Sequence, residues 1–157
     1  MSTYRVREAT LDDVDALVGH RLGMFADMGT AIDRGAVASA FRQWLVDMMP
    51  SGVYRGWVAT ADGEAIVAGG GITVLPWPPG PRYIGGRIAF VYNVFVEVPH
   101  RRRGLARHIM ETIHRWCRDH EVGLVALNAS DEGRPLYEDM GYQPAANPLM
   151  FAAVDRD

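Results

Sequence analysis

Apolar positions recur along this chain with two different periods, and the changes between them outline the fold. Tyr4-Arg5-Val6-Arg7 alternates and predicts a short first strand. Thr10-Leu11-Asp12-Asp13 fits the Ser/Thr-x-x-Asp/Glu helix-start pattern. Leu11, Val14, Leu17, Val18, Leu22 and Phe25 then follow helical spacing up to Gly29. Asp33 opens a second helix with Val37, Phe41, Leu45 and Met48 on one face, stopped at Pro50-Ser51-Gly52. The period then falls to two. Tyr54–Thr60 and Ala65–Leu75 read as a hairpin around Asp62-Gly63, with Gly69-Gly70-Gly71 predicting a bulge or a close backbone approach. Trp77-Pro78-Pro79-Gly80-Pro81 is a stiff loop; a polyproline ligand segment is the other reading of it.

Arg87–Val98 is the longest strand signal. Ile88, Phe90, Tyr92, Val94 and Val96 are expected on one face, and Ala89, Val91, Asn93, Phe95 and Glu97 on the other. Apolar on nearly both faces, it belongs inside a sheet. From Gly104 the spacing turns helical again through Leu105, Ile109, Ile113 and Trp116. Val122–Leu127 predicts a buried strand, Gly133–Met140 a short helix closed by Gly141, and Leu149–Val154 a last strand. The order β-α-α-β-β-β-α-β-α-β, without linker or repeat, is that of one α/β domain with a mixed sheet spanning residues 1–157.

Composition narrows the function classes. A chain of 157 residues, 48% hydrophobic and 22% charged, has the profile of an ordinary globular domain. Its one cysteine, Cys117, fits the apolar stripe of the third helix and excludes an intrachain disulfide. No uncharged apolar run approaches the ~18 residues of a membrane span, and the N-terminus enters a charged strand without a signal peptide, so a cytoplasmic protein is expected. A net charge of −3 argues against nucleic acid and anionic membranes as partners. All 16 basic residues are arginine, so no lysine can serve as a nucleophile. His108, His114 and His120 share no helix face, and no metal-ligand spacing occurs.

The candidate chemistry lies in Val96-Glu97-Val98-Pro99-His100-Arg101-Arg102-Arg103-Gly104-Leu105-Ala106, where a central strand turns into an amphipathic helix. The first amides of a helix lack internal partners and, with the helix dipole, favour an anion, typically a phosphate. Gly104 lets the backbone approach such a ligand. Cations at a helix N-terminus are unfavourable by about 0.3–1 kcal/mol each, so three arginines with no acidic residue between Glu97 and Glu111 make sense if an anion neutralises them. A solvated basic turn accounts for the charge equally well, and a small nucleic-acid module is a third reading that the acidic remainder disfavours.

In this context Arg101-Arg102-Arg103-Gly104-Leu105-Ala106 resembles Arg/Gln-x-x-Gly-x-Gly/Ala, the acetyl-CoA pyrophosphate loop of the GCN5-related N-acetyltransferases (GNAT). Gly133-Arg134-Pro135-Leu136-Tyr137-Glu138-Asp139-Met140-Gly141-Tyr142 is similar to the family's C-terminal signature, and the element order agrees over nearly the whole chain. The resemblance implies the GNAT-like acyl-CoA N-acyltransferase fold, acetyl-CoA as co-substrate and no metal. It implies that the backbone of Val94, Phe95 and Val96 pairs with the pantetheine arm, that the amides of Arg102, Arg103, Gly104, Leu105 and Ala106 hold the pyrophosphate, and that Arg101 takes the motif's first position. Tyr137 matches the tyrosine that protonates the leaving thiolate. Ser130 stands where many members carry asparagine, and Val98 where they carry proline, with Pro99 one place later.

Acyl transfer to an amine also needs the amine unprotonated. Glu97 is the candidate base, a water relay or an already neutral amine the alternative, and Asn93, which shares a strand face with Glu97 if no bulge intervenes, is a candidate for orienting substrate. The implied reaction is direct acetyl transfer to a small-molecule amine or a peptide N-terminus; a CoA-binding sensor without turnover is the rival. Homodimers are common in the family.

Overall fold

The computed structural model describes residues 2–154. Five strands form one sheet in chain order: β1 (Tyr4–Glu8), β2 (Tyr54–Ala61), β3 (Ala65–Pro76), β4 (Arg87–Val96) and β5 (Val125–Leu127). The first four pair antiparallel; β5 joins β4 in parallel. Helices α1 (Val14–Asp27) and α2 (Arg34–Met48) fill the long gap after β1, α3 (Leu105–Asp119) crosses from β4 to β5, and α4 (Arg134–Asp139) follows β5. This is the expected mixed α/β architecture.

Local chemistry explains the boundaries. Asp33 caps α2 by accepting the Ala36 N–H at 3.0 Å. One 3-10 turn (Leu11–Asp13) leads into α1, with Asp13 accepting the Thr10 N–H at 2.8 Å. Asp62 and Gly63 both have positive φ within the three-residue connection Asp62–Glu64 that joins β2 to β3.

The sheet is buried on both faces. Leu105, Ile109, Met110, Ile113 and Cys117 of α3 pack with Trp57, Ala59, Ile72, Ala89 and Val91 on one side. Val14, Leu17 and Val18 of α1 and Phe41 and Leu45 of α2 pack with Tyr54 and Val58 on the other. Ile109, Met110, Ile113 and Leu45 have no exposed surface. Each such side chain contributes about 1.5–3 kcal/mol on leaving water.

Two expectations need correction. Leu149–Val154 is no strand: the segment is irregular, with Leu149, Met150, Phe151 and Val154 exposed. A continuous apolar run is compatible with a strand, but a strand also needs a ladder partner, and none of the described strands pairs with this segment. The faces assigned to β4 also fail beyond Tyr92. Gly69 pairs with Phe95 but Gly71 pairs with Tyr92, so β4 carries one extra residue, and Asn93 takes a left-handed φ of 60°. The bulge inverts the alternation: Asn93 reaches Tyr54 and Phe95 reaches Gly23, both on the α1 side, while Val94 and Val96 pack against the α3 side.

The triple glycine of β3 lies opposite this bulge. A Cβ on Gly71 would stand 2.2 Å from the Tyr54 hydroxyl oxygen and 2.3 Å from its Cζ, and one on Gly70 would stand 3.0 Å from Ile109. Close approach from both layers is what these positions allow.

Candidate active site

β4 and β5 pair only through Ala89, Phe90 and Val91 with Val125, Ala126 and Leu127. Beyond Leu127 the fifth strand ends, while β4 runs on to Val96. The β5-facing edge of Tyr92–Val96 is therefore left open, with backbone groups that have no strand partner on that side. A groove of about 1050 Å³ occupies the gap. Its walls include β4 from Phe90 to Val96, the start of α3, the Leu127–Gly133 segment, Tyr137, and Arg21 and Phe25 of α1.

At one end lies the arginine loop. Val98–His100 forms a single 3-10 turn with Pro99 inside it, then Arg102 (φ 59°) and Gly104 (φ 80°) both adopt left-handed backbone. The first backbone bond into α3 is His108 N–H to the Gly104 carbonyl, at 3.0 Å. No described acceptor takes the amides from Arg102 to Arg107. Alternating backbone of this kind aims successive N–H groups into a concavity suited to an anion.

The structure divides the three arginines. Arg101 turns inward: its Nε donates to the Val96 carbonyl at 2.8 Å, its NH2 to Asp27 at 2.5 Å, and its guanidinium lies 5.4 Å from the Phe95 ring centroid. Asp27 of α1 thus supplies an anion that the local sequence lacks. Arg102 is exposed and lines the groove; Arg103 is exposed and lies outside its lining. Arg107, one turn into α3, pairs with Asp139.

On the opposite wall Tyr137 is 9% exposed, with its ring 5.7 Å from that of Tyr142. Its hydroxyl has no hydrogen-bond partner among the described residues. Burial pushes its pKa up from the ordinary value, which keeps the proton on the oxygen at neutral pH. Ser130 also lines the groove and organises the turn into α4: its Oγ accepts the Gly133 N–H at 3.1 Å and its carbonyl accepts the Arg134 N–H at 2.9 Å. Val94, Phe95 and Val96, together with Gly104, Leu105 and Ala106, complete the sequence-expected lining.

Asn93 and Glu97 do share a side of β4, the α1 side to which the bulge turns them, but they do not act together. Asn93 is buried; its Nδ2 donates to the Tyr54 hydroxyl at 3.3 Å and its Oδ1 accepts from Arg21 at 2.5 Å. Burial pushes the Tyr54 hydroxyl up to about 12, so it too stays neutral. Glu97, its side chain 44% exposed, lies outside the groove lining and faces His20 at 3.4 Å. His20 is buried with its Nδ1 unpartnered, and burial depresses its pKa against the opposing pull of Glu97.

Sequence reasoning missed His20, Arg21 and Tyr54. Arg21 had a signal: it stands four residues after Leu17 and four before Phe25, a charge inside an apolar stripe. Nothing local marks Tyr54, whose role depends on a bulge two strands away. Among the described residues, no group of three potential metal ligands occurs, and no helix is long and apolar enough to cross a membrane.

Comparison with known proteins gives the same outline. The family model described as "Acetyltransferase (GNAT) family" matches residues 26–142. No protein of curated function matches significantly. A GCN5-related N-acetyltransferase from Ralstonia eutropha superposes with a TM-score of 0.88 at 29% identity, covering 96% of this chain and 99% of that one. A predicted acetyltransferase with acetyl-CoA from Clostridium acetobutylicum gives 0.85 at 22%, covering 96% of each chain. Glucosamine-6-phosphate N-acetyltransferase from Arabidopsis thaliana gives 0.70 at 17%, covering 96% and 98%.

Proposed function

The chain belongs to the acetyltransferase (GNAT) family, and from that premise we propose that it transfers an acetyl group from acetyl-CoA directly to a primary amine of a small molecule or a peptide N-terminus. The observation that carries the reading is the split between β4 and β5, which opens a strand edge toward a loop of unpaired amides. The Clostridium acetobutylicum relative was crystallised with acetyl-CoA, which supports the same ligand here. The whole chain would act as one domain, without a metal.

Acetyl-CoA supplies an activated thioester: the acetyl carbon forms a bond to the amine nitrogen, its bond to sulfur breaks, the nitrogen loses a proton and the sulfur gains one. The open edge of Val94–Val96 orients the pantetheine arm through backbone hydrogen bonds, as an added strand would be oriented. The amides of Arg102–Ala106 hold the diphosphate, with Arg102 adding charge. Arg101 acts through the loop: tied to Val96 and Asp27, it fixes the end of β4 against α1. Tyr137, kept protonated by burial, donates to the departing sulfur. Glu97 faces His20 rather than the groove, so the amine's proton passes to water in the open groove.

A panel of primary amines, followed by release of free CoA thiol, tests the proposal. Since the chain has no lysine, side-chain self-acetylation of lysine adds no background. Amine-dependent thiol release is expected. Tight acetyl-CoA binding with no amine accelerating release would leave the sensor reading standing instead.

A further inference from the structure

Arg21 has a role that the transfer reaction does not assign. Four of the described arginines are half-buried: Arg21, Arg55, Arg101 and Arg107. Three of them meet a carboxylate, from Glu8, Asp27 and Asp139 respectively. Arg21 meets none among the described residues. Its polar side-chain partner is the neutral Oδ1 of Asn93, which occupies one of five guanidinium donors. The guanidinium is held between aromatic faces, 5.1 Å from the Phe25 ring centroid and 4.9 Å from that of Phe41. A cation taken partly out of water without a counterion is costly, and burial weakens its hold on the proton. Asn93, itself fixed by Tyr54, locks its position, and Arg21 lines the groove.

We propose that Arg21 binds a carboxylate on the acceptor, so that the amines acetylated here are aminocarboxylates. This deepens the transfer reading and rests on it. The diphosphate is the wrong anion for this position. Arg21 sits beside Asn93, and Val96, where the strand turns toward the arginine loop, lies about 10 Å further along β4 at ~3.3 Å per residue. The anionic groups near the groove, Asp27, Asp131 and Glu132, do not neutralise Arg21: Asp27 is committed to Arg101, and the other two lie beyond β5. A planar guanidinium with free paired donors suits a carboxylate bidentately. Phe25, Phe90 and Tyr92 beside it offer apolar surface for the body of such an acceptor.

The test compares phenylalanine, β-alanine and 4-aminobutyrate, each with its primary amide. Binding is measured by calorimetry on CoA-saturated protein, and kcat/KM by thiol release, in wild type, Arg21→Gln and Arg21→Lys. At least one acid should bind tenfold or more tightly than its amide. Arg21→Gln should erase that gap, raising KM for the acid at least tenfold with kcat within about threefold, while amide kinetics and the melting-temperature rise with CoA stay unchanged. Arg21→Lys should recover part of the preference. Amides binding as well as acids across the panel, or Arg21→Gln weakening acid and amide alike, would overturn the proposal. An acid-over-amide gap without thiol release would sink the transfer reading and leave the carboxylate site standing; thiol release without a gap would do the reverse.

Discussion

Replacing Tyr137 with phenylalanine removes one oxygen from the groove wall and little that the fold uses. The ring stays packed on Tyr142, and no hydrogen bond among the described residues is lost. The hydroxyl borders the groove and holds no partner among the described residues, so stability should change by no more than about 0.5 kcal/mol. At this size that is about 1–2 °C in melting temperature. Catalysis should suffer far more. A positioned general acid contributes roughly 10²–10⁴-fold, equivalent to about 3–5 kcal/mol of barrier at 1.36 kcal/mol per decade. The loss should fall on kcat, with acetyl-CoA affinity and amine KM retained. The pH profile is a second readout. Because burial raises the Tyr137 pKa, the proton-bearing form persists above the ordinary ~10. Wild-type activity should therefore show no decline from tyrosine ionisation between pH 7 and 9. Thiol-release kinetics and thermal melts decide the matter. A variant with kcat within threefold of wild type would refute the acid role, and one losing activity together with more than 5 °C of melting temperature would make Tyr137 a packing residue.

Other consequences of the structure can be measured. Gly71→Ala drives a methyl into the buried Tyr54 ring and should cost 1–3 kcal/mol or more by chemical denaturation. Gly19→Ala, mid-helix in α1 with nothing within 4 Å of the new Cβ, should add about 0.5–1 kcal/mol. Asp13 accepts from both terminal nitrogens of Arg7, at 2.8 and 2.9 Å, and the Arg7 bond holds its pKa below the usual carboxylate value. Its stabilisation is therefore complete above the unfolded-state pKa of ~3.9 and disappears as pH falls through the lower folded value. Asp13→Asn should cost about 1–2 kcal/mol at pH 7, Arg7 being partly exposed, and melting curves of the two proteins should converge in acid. Cys117 is 2% exposed and burial pushes its thiol up to about 11; a disulfide thiol reagent should find no reactive group in the native protein and one after denaturation.

Much of this was legible because local patterns and global packing agree. The α3 stripe, the Asp33 cap, the Asp62-Gly63 turn and the strand-to-helix transition at Gly104 each combine a periodicity with a residue of matching backbone preference. What stayed hidden depends on pairing. A single added residue at Asn93 inverts which side chains face which layer, and only the register against Gly69–Gly71 reveals it. The neutralisation of Arg101 by Asp27 spans 74 positions, beyond any local motif. Leu149–Val154 shows the converse: its apolar run is real, but no described strand pairs with it. Arg21 was visible as a charge in an apolar stripe, yet its significance came from what surrounds it in space.

The claim beneath the whole account is that the amides of Arg102–Ala106 cradle a diphosphate at the foot of the open strand edge. Calorimetric titration of acetyl-CoA against S-acetylpantetheine, which keeps the thioester arm but lacks the diphosphate, tests it directly. Two or three charge-assisted hydrogen bonds of about 1.5–3 kcal/mol each predict that the truncated thioester binds at least a hundredfold more weakly. Equal affinity for the two, or no heat with acetyl-CoA, would contradict it.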